Sequence, residues 1–225
     1  MNTLTLQRNC GVALAVGSVL AAAAIALEAV TDPDDADRAP HYIHGLAVPV
    51  ALLLLGGVLV LLVGLVGLAV RIQTIRGRGT AWVAAVGLGL TVAEVPHTIL
   101  DMTAIPVLFD RLPHAQARDL VDNHIDSLPG ALSGIGILPL LIGSVLLARA
   151  CWNGEIVPRW SPRWAIALLV VAVGTLPLSG LAWWFPHGPV LLYVGIAGYG
   201  IGLVRAVATA DAQPTQRRTA DAANS

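Results

Sequence analysis

Long apolar stretches alternate with short polar connections along most of the chain. Six of these stretches are long enough to cross the hydrocarbon of a bilayer as helices, which takes roughly 20 residues each. They cover residues 11–30, 43–70, 81–105, 130–148, 164–184 and 189–207. The pattern predicts an all-α fold, a polytopic membrane protein built as a bundle of six transmembrane helices. We expect residues 1–209 to form this domain and the small, polar stretch 210–225 to be a disordered cytoplasmic tail.

The first apolar stretch also occupies the position of a secretory signal peptide. Its apolar run of roughly 20 residues is longer than the core of a signal peptide, which has roughly 7–15. It also lacks a good small-x-small cleavage pattern at its end. We therefore expect it to be retained as the first span.

Composition supports a membrane protein and weakens several other classes. The chain is 56% hydrophobic and 12% charged, whereas a soluble domain has about 25% charged residues. The sequence contains no basic patch suited to nucleic acid, no Gly-rich phosphate loop and no Gly-x-Ser-x-Gly motif. Its two cysteines are too few for a disulfide framework. The partner we expect is the lipid bilayer; a small-molecule or lipid ligand, and a homo-oligomer formed through the Gly-rich spans, stay open as further partners.

Charge is divided unequally between the two sides that the predicted spans define. Ten arginines share one side, which the positive-inside rule makes cytoplasmic: Arg8, Arg71, Arg76, Arg78, Arg149, Arg159, Arg163, Arg205, Arg217 and Arg218. The other side has three arginines, eleven of the fourteen acidic residues and all six histidines. We therefore predict a multi-pass protein of the plasma membrane with both termini in the cytoplasm.

The connection before the fourth span is long, and part of it has a helical pattern. Within residues 114–128 the apolar side chains fall on one face, with acidic residues elsewhere. That face comprises Ala117, Leu120, Val121, His124 and Leu128. The pattern predicts an amphipathic helix on the outer surface, capping the mouth of the bundle with His124 turned towards it.

The third span carries the strongest candidate site. Glu94, His97 and Asp101 lie at i, i+3 and i+7, which places their side chains on one helix face. Glu94 falls in the outer half of the hydrocarbon, His97 one turn further out, and Asp101 near the outer interface. Ionisable groups at this depth are costly, so they are rare and usually functional. Pro96 removes a backbone donor between Glu94 and His97 and is expected to kink the helix.

Three other residues at the outer side form a second tier of the candidate site. They are Glu28 near the end of the first span, His44 at the start of the second, and His124 before the fourth. Three such ligands and a water would make an open zinc site, whereas an oxygen-rich set would suit another divalent metal. Three hypotheses remain open: a divalent-metal site, a proton- or ligand-binding site, and a structural pair of Glu94 and His97.

The functional hypotheses follow from these alternatives. The leading one is an integral membrane protein with an outward-facing polar pocket that binds a metal or protons. The second is a membrane-embedded, metal-dependent hydrolase acting on a lipid or small molecule, in which the metal lowers the pKa of bound water. The third is a structural or accessory subunit without chemistry.

One region resembles known membrane proteins. The run Gly-Ile-Gly-Ile-Leu-Pro-Leu-Leu-Ile-Gly at residues 134–143, followed by Val-Pro-Arg-Trp at 157–160 and a new apolar span, is similar to small six-span membrane proteins of actinobacteria. These form families of unknown function, so the resemblance implies a fold and a location without an activity. A fainter similarity is to membrane zinc hydrolases of the ceramidase and adiponectin-receptor type. Those have seven spans and histidine spacings that this sequence lacks, and no residues are carried over from them.

Overall fold

The computed structural model describes residues 3–31, 45, 47–121, 123, 127–175 and 188–223. Within these residues the structure is helical, with short connections and no strand. The helices are α1 (Thr3–Thr31), α2 (Ala47–Arg76), α3 (Thr80–Arg111), α4 (His114–Leu120), α5 (Ser127–Cys151), α6 (Trp160–Thr175) and α7 (Gly188–Ala223). The prediction of an all-α fold is confirmed for this part of the chain.

The length and apolar character of the helices fit a membrane protein. Among the described residues, four helical stretches are long and apolar enough to cross a membrane. These are Thr3–Glu28, Ala47–Arg76, Thr80–Arg111 and Val190–Asp211. The apolar parts described in α5 and α6, Ile135–Cys151 and Trp160–Gly174, are shorter. Four spans are therefore supported by length and composition, and the count of six stays a prediction.

The six long helices form a closed ring. Its order is α1, α2, α3, α5, α6, α7 and back to α1, with each helix packed against its two neighbours. Neighbouring helices run antiparallel, so the start of α1, the α2–α3 turn and the α5–α6 connection lie at one end of the bundle. We call this the arginine end and the opposite end the acidic end. The interior is filled by fully buried side chains such as Leu14, Leu61, Leu90 and Leu203.

Glycine backbones come together where α1 crosses each of its two neighbours. Gly17 of α1 faces Gly57 of α2, and Gly11 of α1 faces Gly200 of α7. In each pair a Cβ on either glycine would lie 3.0 Å or less from the other's carbonyl oxygen. Small residues permit this close approach of membrane helices. The glycines at these positions therefore pack helices together inside a single bundle.

The third helix is longer than the sequence predicts. It continues beyond Ile105, through Pro106, to Arg111, so the outer connection begins after it. A proline removes one hydrogen bond from a helix without necessarily ending it, and helices in membrane proteins tolerate such losses. Pro96 also lies inside α3.

The predicted amphipathic helix is present in part. α4 spans His114–Leu120, and Ala117 and Val121 are buried against Ile105 and Phe109 of α3. The buried face is therefore confirmed at Ala117 and Val121, while His124 lies outside the described residues. At the other terminus, α7 is helical as far as Ala223. The prediction that 210–225 is disordered stays a prediction.

Candidate functional site

Glu94 lies deep within α3. At about 1.5 Å per residue it is roughly 20 Å along the helix from Thr80, within a helix of 32 residues. Its side chain is half-buried, and the preceding Ala93 is buried. The sequence prediction that an ionisable group sits well inside this apolar helix is therefore retained.

The carboxylate of Glu94 faces α7 across the bundle. It lies close to the hydroxyl of Tyr193, near the start of α7. Tyr193 is fully buried, and its hydroxyl makes no hydrogen bond of regular geometry with the described residues. The carboxylate and the hydroxyl are therefore close enough to interact electrostatically in the interior. Because α3 and α7 are not neighbours in the ring, this contact passes through the middle of the bundle.

The threonines that border Glu94 are engaged with backbone. The Thr98 hydroxyl donates to the Glu94 carbonyl oxygen at 2.7 Å, and the Thr91 hydroxyl donates to the Gly87 carbonyl oxygen at 2.8 Å. Hydroxyls that bond one turn back along their own helix are common in apolar helices. These threonines thus satisfy their own donors within α3, and the acid side chain meets α7 instead.

The other predicted site residues are only partly placed. His97 lies on α3 one turn from Glu94, but its side chain is outside the described set, and His44 and His124 are outside it entirely. Asp101 and Glu28 are half-buried near the acidic end. Among the side chains that the structure describes, no three from His, Cys, Asp and Glu come together as a metal site would require. The metal site on Glu94, His97, Asp101, His44, His124 and Glu28 stays a prediction, as does the bound zinc or other divalent metal.

A narrow cavity lies at the centre of the bundle, closer to the arginine end than Glu94. Twelve residues of α2, α3, α5, α6 and α7 line it, and only Ser144 and Tyr199 contribute a polar side chain. Glu94 does not line it. The cavity is therefore apolar and distinct from the polar pocket that the sequence predicts around Glu94, which stays a prediction.

A polar network at the arginine end was missed by the sequence analysis. Arg71 of α2 donates through Nε to the Ile156 carbonyl oxygen at 2.5 Å and through Nη1 to Oε1 of the buried Gln7 at 3.2 Å. These bonds tie α1, α2 and the α5–α6 connection together. The sequence pattern uses Arg71 only as one of the ten arginines that define the cytoplasmic side of the protein. One sequence signal could have distinguished Arg71 from the other arginines. It lies before the last turn of an apolar helix, so the aliphatic part of its side chain must lie along the bundle.

Two buried hydroxyl groups near the same end were also not predicted from the sequence. Ser161 at the start of α6 and Tyr199 of α7 are buried, and neither hydroxyl has a hydrogen-bond partner among the described residues. Cys10 and Cys151 are free and buried. These groups lie apart from Glu94 and form no described ligand cluster with it.

Comparison with known proteins adds no assignment. No protein-family model, no curated protein and no solved structure matches this chain.

Proposed function

We propose that this chain is an integral protein of the plasma membrane, with six spans and cytoplasmic termini, in which Glu94 binds and releases protons from the outer side. The observation that carries the proposal is the contact of Glu94 with the fully buried Tyr193 in the bundle interior. An intramembrane acid that faces the interior and meets a polar partner is the usual arrangement of proton relays.

The helices around Glu94 favour reversible protonation over a fixed ion pair. α2 and α5, the neighbours of α3, carry no ionisable residue over 47–70 and 127–148. On α7 the ionisable groups over 188–204 are Tyr193 and Tyr199, and on α3 itself, over 80–105, they are His97 and Asp101 besides Glu94. None of these is a permanent cation. Because an ionised carboxylate is costly in an apolar interior, a change of pH on the accessible side can shift Glu94 between its two forms.

Access from the acidic end is supported by the layers that separate Glu94 from the arginine end. Val86 and Leu90 on α3 and Leu68 on α2 are buried with almost no exposure. Val86 and Leu68 also line the apolar cavity. Towards the acidic end, by contrast, Asp101 and then Asp110 follow on α3. A proton would therefore meet polar groups from one side and packed hydrocarbon from the other.

Infrared difference spectroscopy on the full chain in lipid nanodiscs tests this proposal. We expect acidification to produce the carbonyl stretch of a protonated carboxyl group, which Glu94→Gln abolishes and Tyr193→Phe shifts in frequency or in midpoint pH. Asp110→Asn removes an exposed acid of the same helix and serves as the matched control. Its spectrum should keep the band.

Two outcomes would count against proton binding. If no band disappears in Glu94→Gln, Glu94 does not titrate, and the contact with Tyr193 is structural. If the band follows the pH of the arginine end in proteoliposomes of one orientation, the assigned direction of access is wrong.

A further inference from the structure

Two arginines are stacked over tryptophan rings at the arginine end: Arg163 of α6 over Trp152 of the α5–α6 connection, and Arg205 of α7 over Trp160 of α6. The guanidinium of Arg163 lies 5.7 Å from the ring centre of Trp152, and that of Arg205 lies 5.5 Å from the ring centre of Trp160. All four side chains are exposed. The face of each ring attracts the guanidinium that lies over it, and a guanidinium has several N–H donors with which it can bind another ligand.

These two arginines have no acidic partner in the described structure. The acids of the arginine end whose side chains the structure describes are Glu155 and Asp211. Glu155 is paired with Arg76 at 3.0 Å, and no ion pair joins Asp211 to either stacked arginine. The local charge of this surface is therefore positive and uncompensated by the described side chains.

The tryptophans indicate the depth of this surface in a membrane. Trp152, Trp160 and Trp164 are 45%, 38% and 47% exposed, and tryptophans at the ends of apolar helices lie at the level of lipid headgroups. Trp160 and Trp164 also pack beside Gly198 of α7, which joins α6 and α7 into one face. The phosphate of a lipid would lie at the height of the stacked guanidinium groups.

We propose that the surface formed by Trp152, Trp160, Arg163 and Arg205 binds the headgroup of an anionic phospholipid. The guanidinium groups would bind the phosphate through paired N–H donors, and the tryptophan rings would border the glycerol region. Basic surfaces between transmembrane helices bind lipids in this way. The inference concerns a different end of the molecule from Glu94 and does not depend on proton binding.

Native mass spectrometry of the full chain, titrated with phosphatidylglycerol or phosphatidylcholine, tests the proposal. We expect selective binding of phosphatidylglycerol, weakened about thirtyfold in the double variant Arg163→Gln/Arg205→Gln. The variant Arg163→Lys/Arg205→Lys keeps the charge but loses the planar fork, so it should bind with intermediate affinity. The matched control is Arg8→Gln/Arg78→Gln, which removes two exposed arginines of the same end that stack on no described tryptophan.

Three results would overturn the proposal. Equal binding of the two lipids would show that the surface does not select anionic headgroups. Equal losses in the stacked and control pairs would indicate diffuse charge attraction instead of a site. Displacement of the lipid by millimolar inorganic phosphate would identify a soluble anion as the ligand. Thermal unfolding of each variant shows that a loss of binding is not a loss of fold.

Discussion

Gly89 of α3 and Gly136 of α5 stand backbone to backbone. A Cβ on either glycine would lie 2.8 Å from the carbonyl oxygen of the other. A Cβ on Gly136 would also lie 2.6 Å from the backbone nitrogen of Ala93, the residue before Glu94. The crossing of α3 and α5 therefore sets the height at which Glu94 enters the bundle, and it links helix packing to the candidate site.

We predict that Gly136→Ala destabilises the bundle by about 1–3 kcal/mol, because the added methyl group overpacks a contact between two backbones. Gly56→Ala is the matched control, since a Cβ at Gly56 meets nothing within 4 Å. Alanine favours a helix over glycine by about 1 kcal/mol, so the control should be neutral or stabilising. Equilibrium unfolding in mixed micelles measures both. Equal stability of the two variants would contradict the close backbone contact between α3 and α5 at Gly136.

Arg71 and Arg76 provide a second comparison, between an arginine hydrogen-bonded to two other elements and one that makes an ion pair at the surface. Arg71→Gln removes the hydrogen bond to the Ile156 carbonyl oxygen and the one to Gln7, and hydrogen bonds from charged groups contribute about 1.5–3 kcal/mol each. We expect a loss of about 3 kcal/mol in unfolding free energy, the low end for two such bonds, because Arg71 is only half-buried. Arg76→Gln removes an exposed ion pair with Glu155, which is worth about 0–1 kcal/mol. A larger loss in Arg76→Gln than in Arg71→Gln would show that the α5–α6 connection is held by the ion pair instead.

The buried hydroxyl of Tyr199 gives a prediction of opposite sign. Removing a buried polar group that has no partner relieves the cost of its desolvation, which is about 1–3 kcal/mol in proteins. Tyr199→Phe should therefore be neutral or stabilising by about 1 kcal/mol, and thermal unfolding measures it. Ser161→Ala should behave alike, since that hydroxyl is also buried without a described partner. A loss of stability in Tyr199→Phe would show that an internal water binds the hydroxyl.

The apolar pattern predicts where the helices lie because spanning segments must be continuous and apolar. It predicts their ends poorly. Hydropathy falls where α3 leaves the hydrocarbon, yet the helix goes on through Pro106 to Arg111, because backbone hydrogen bonding does not require apolar side chains. The connection after α3 is shortened accordingly.

The sequence also located Glu94 but not the residue beside it. Its depth follows from counting along one helix, whereas Tyr193 is about a hundred residues away and on a helix that is not a neighbour of α3. The order of the helices around the ring depends on the glycine crossings at Gly11, Gly17 and Gly89, and the partners of these glycines cannot be read from one apolar segment at a time. For α7, the sequence signal that could have pointed to a partner of Glu94 is the presence of two tyrosines, Tyr193 and Tyr199, within an otherwise apolar span.

Bound metal separates the proton proposal from the metal site that the sequence predicts. If protons are the ligand of Glu94, the purified wild-type chain should carry well below one metal per chain by elemental mass spectrometry. Its infrared carboxyl band should also be unchanged after treatment with a chelator. Near-equimolar metal in the wild type, absent from a still-folded His97→Ala variant, would contradict proton binding and establish Glu94 and His97 as ligands. Because a metal ion is itself a strong local charge, it would also keep Glu94 ionised at pH values where the proton proposal expects the neutral acid. The chelator thus tests whether removing a metal changes the Glu94 carboxylate, and the His97→Ala variant tests whether removing a second ligand removes the metal.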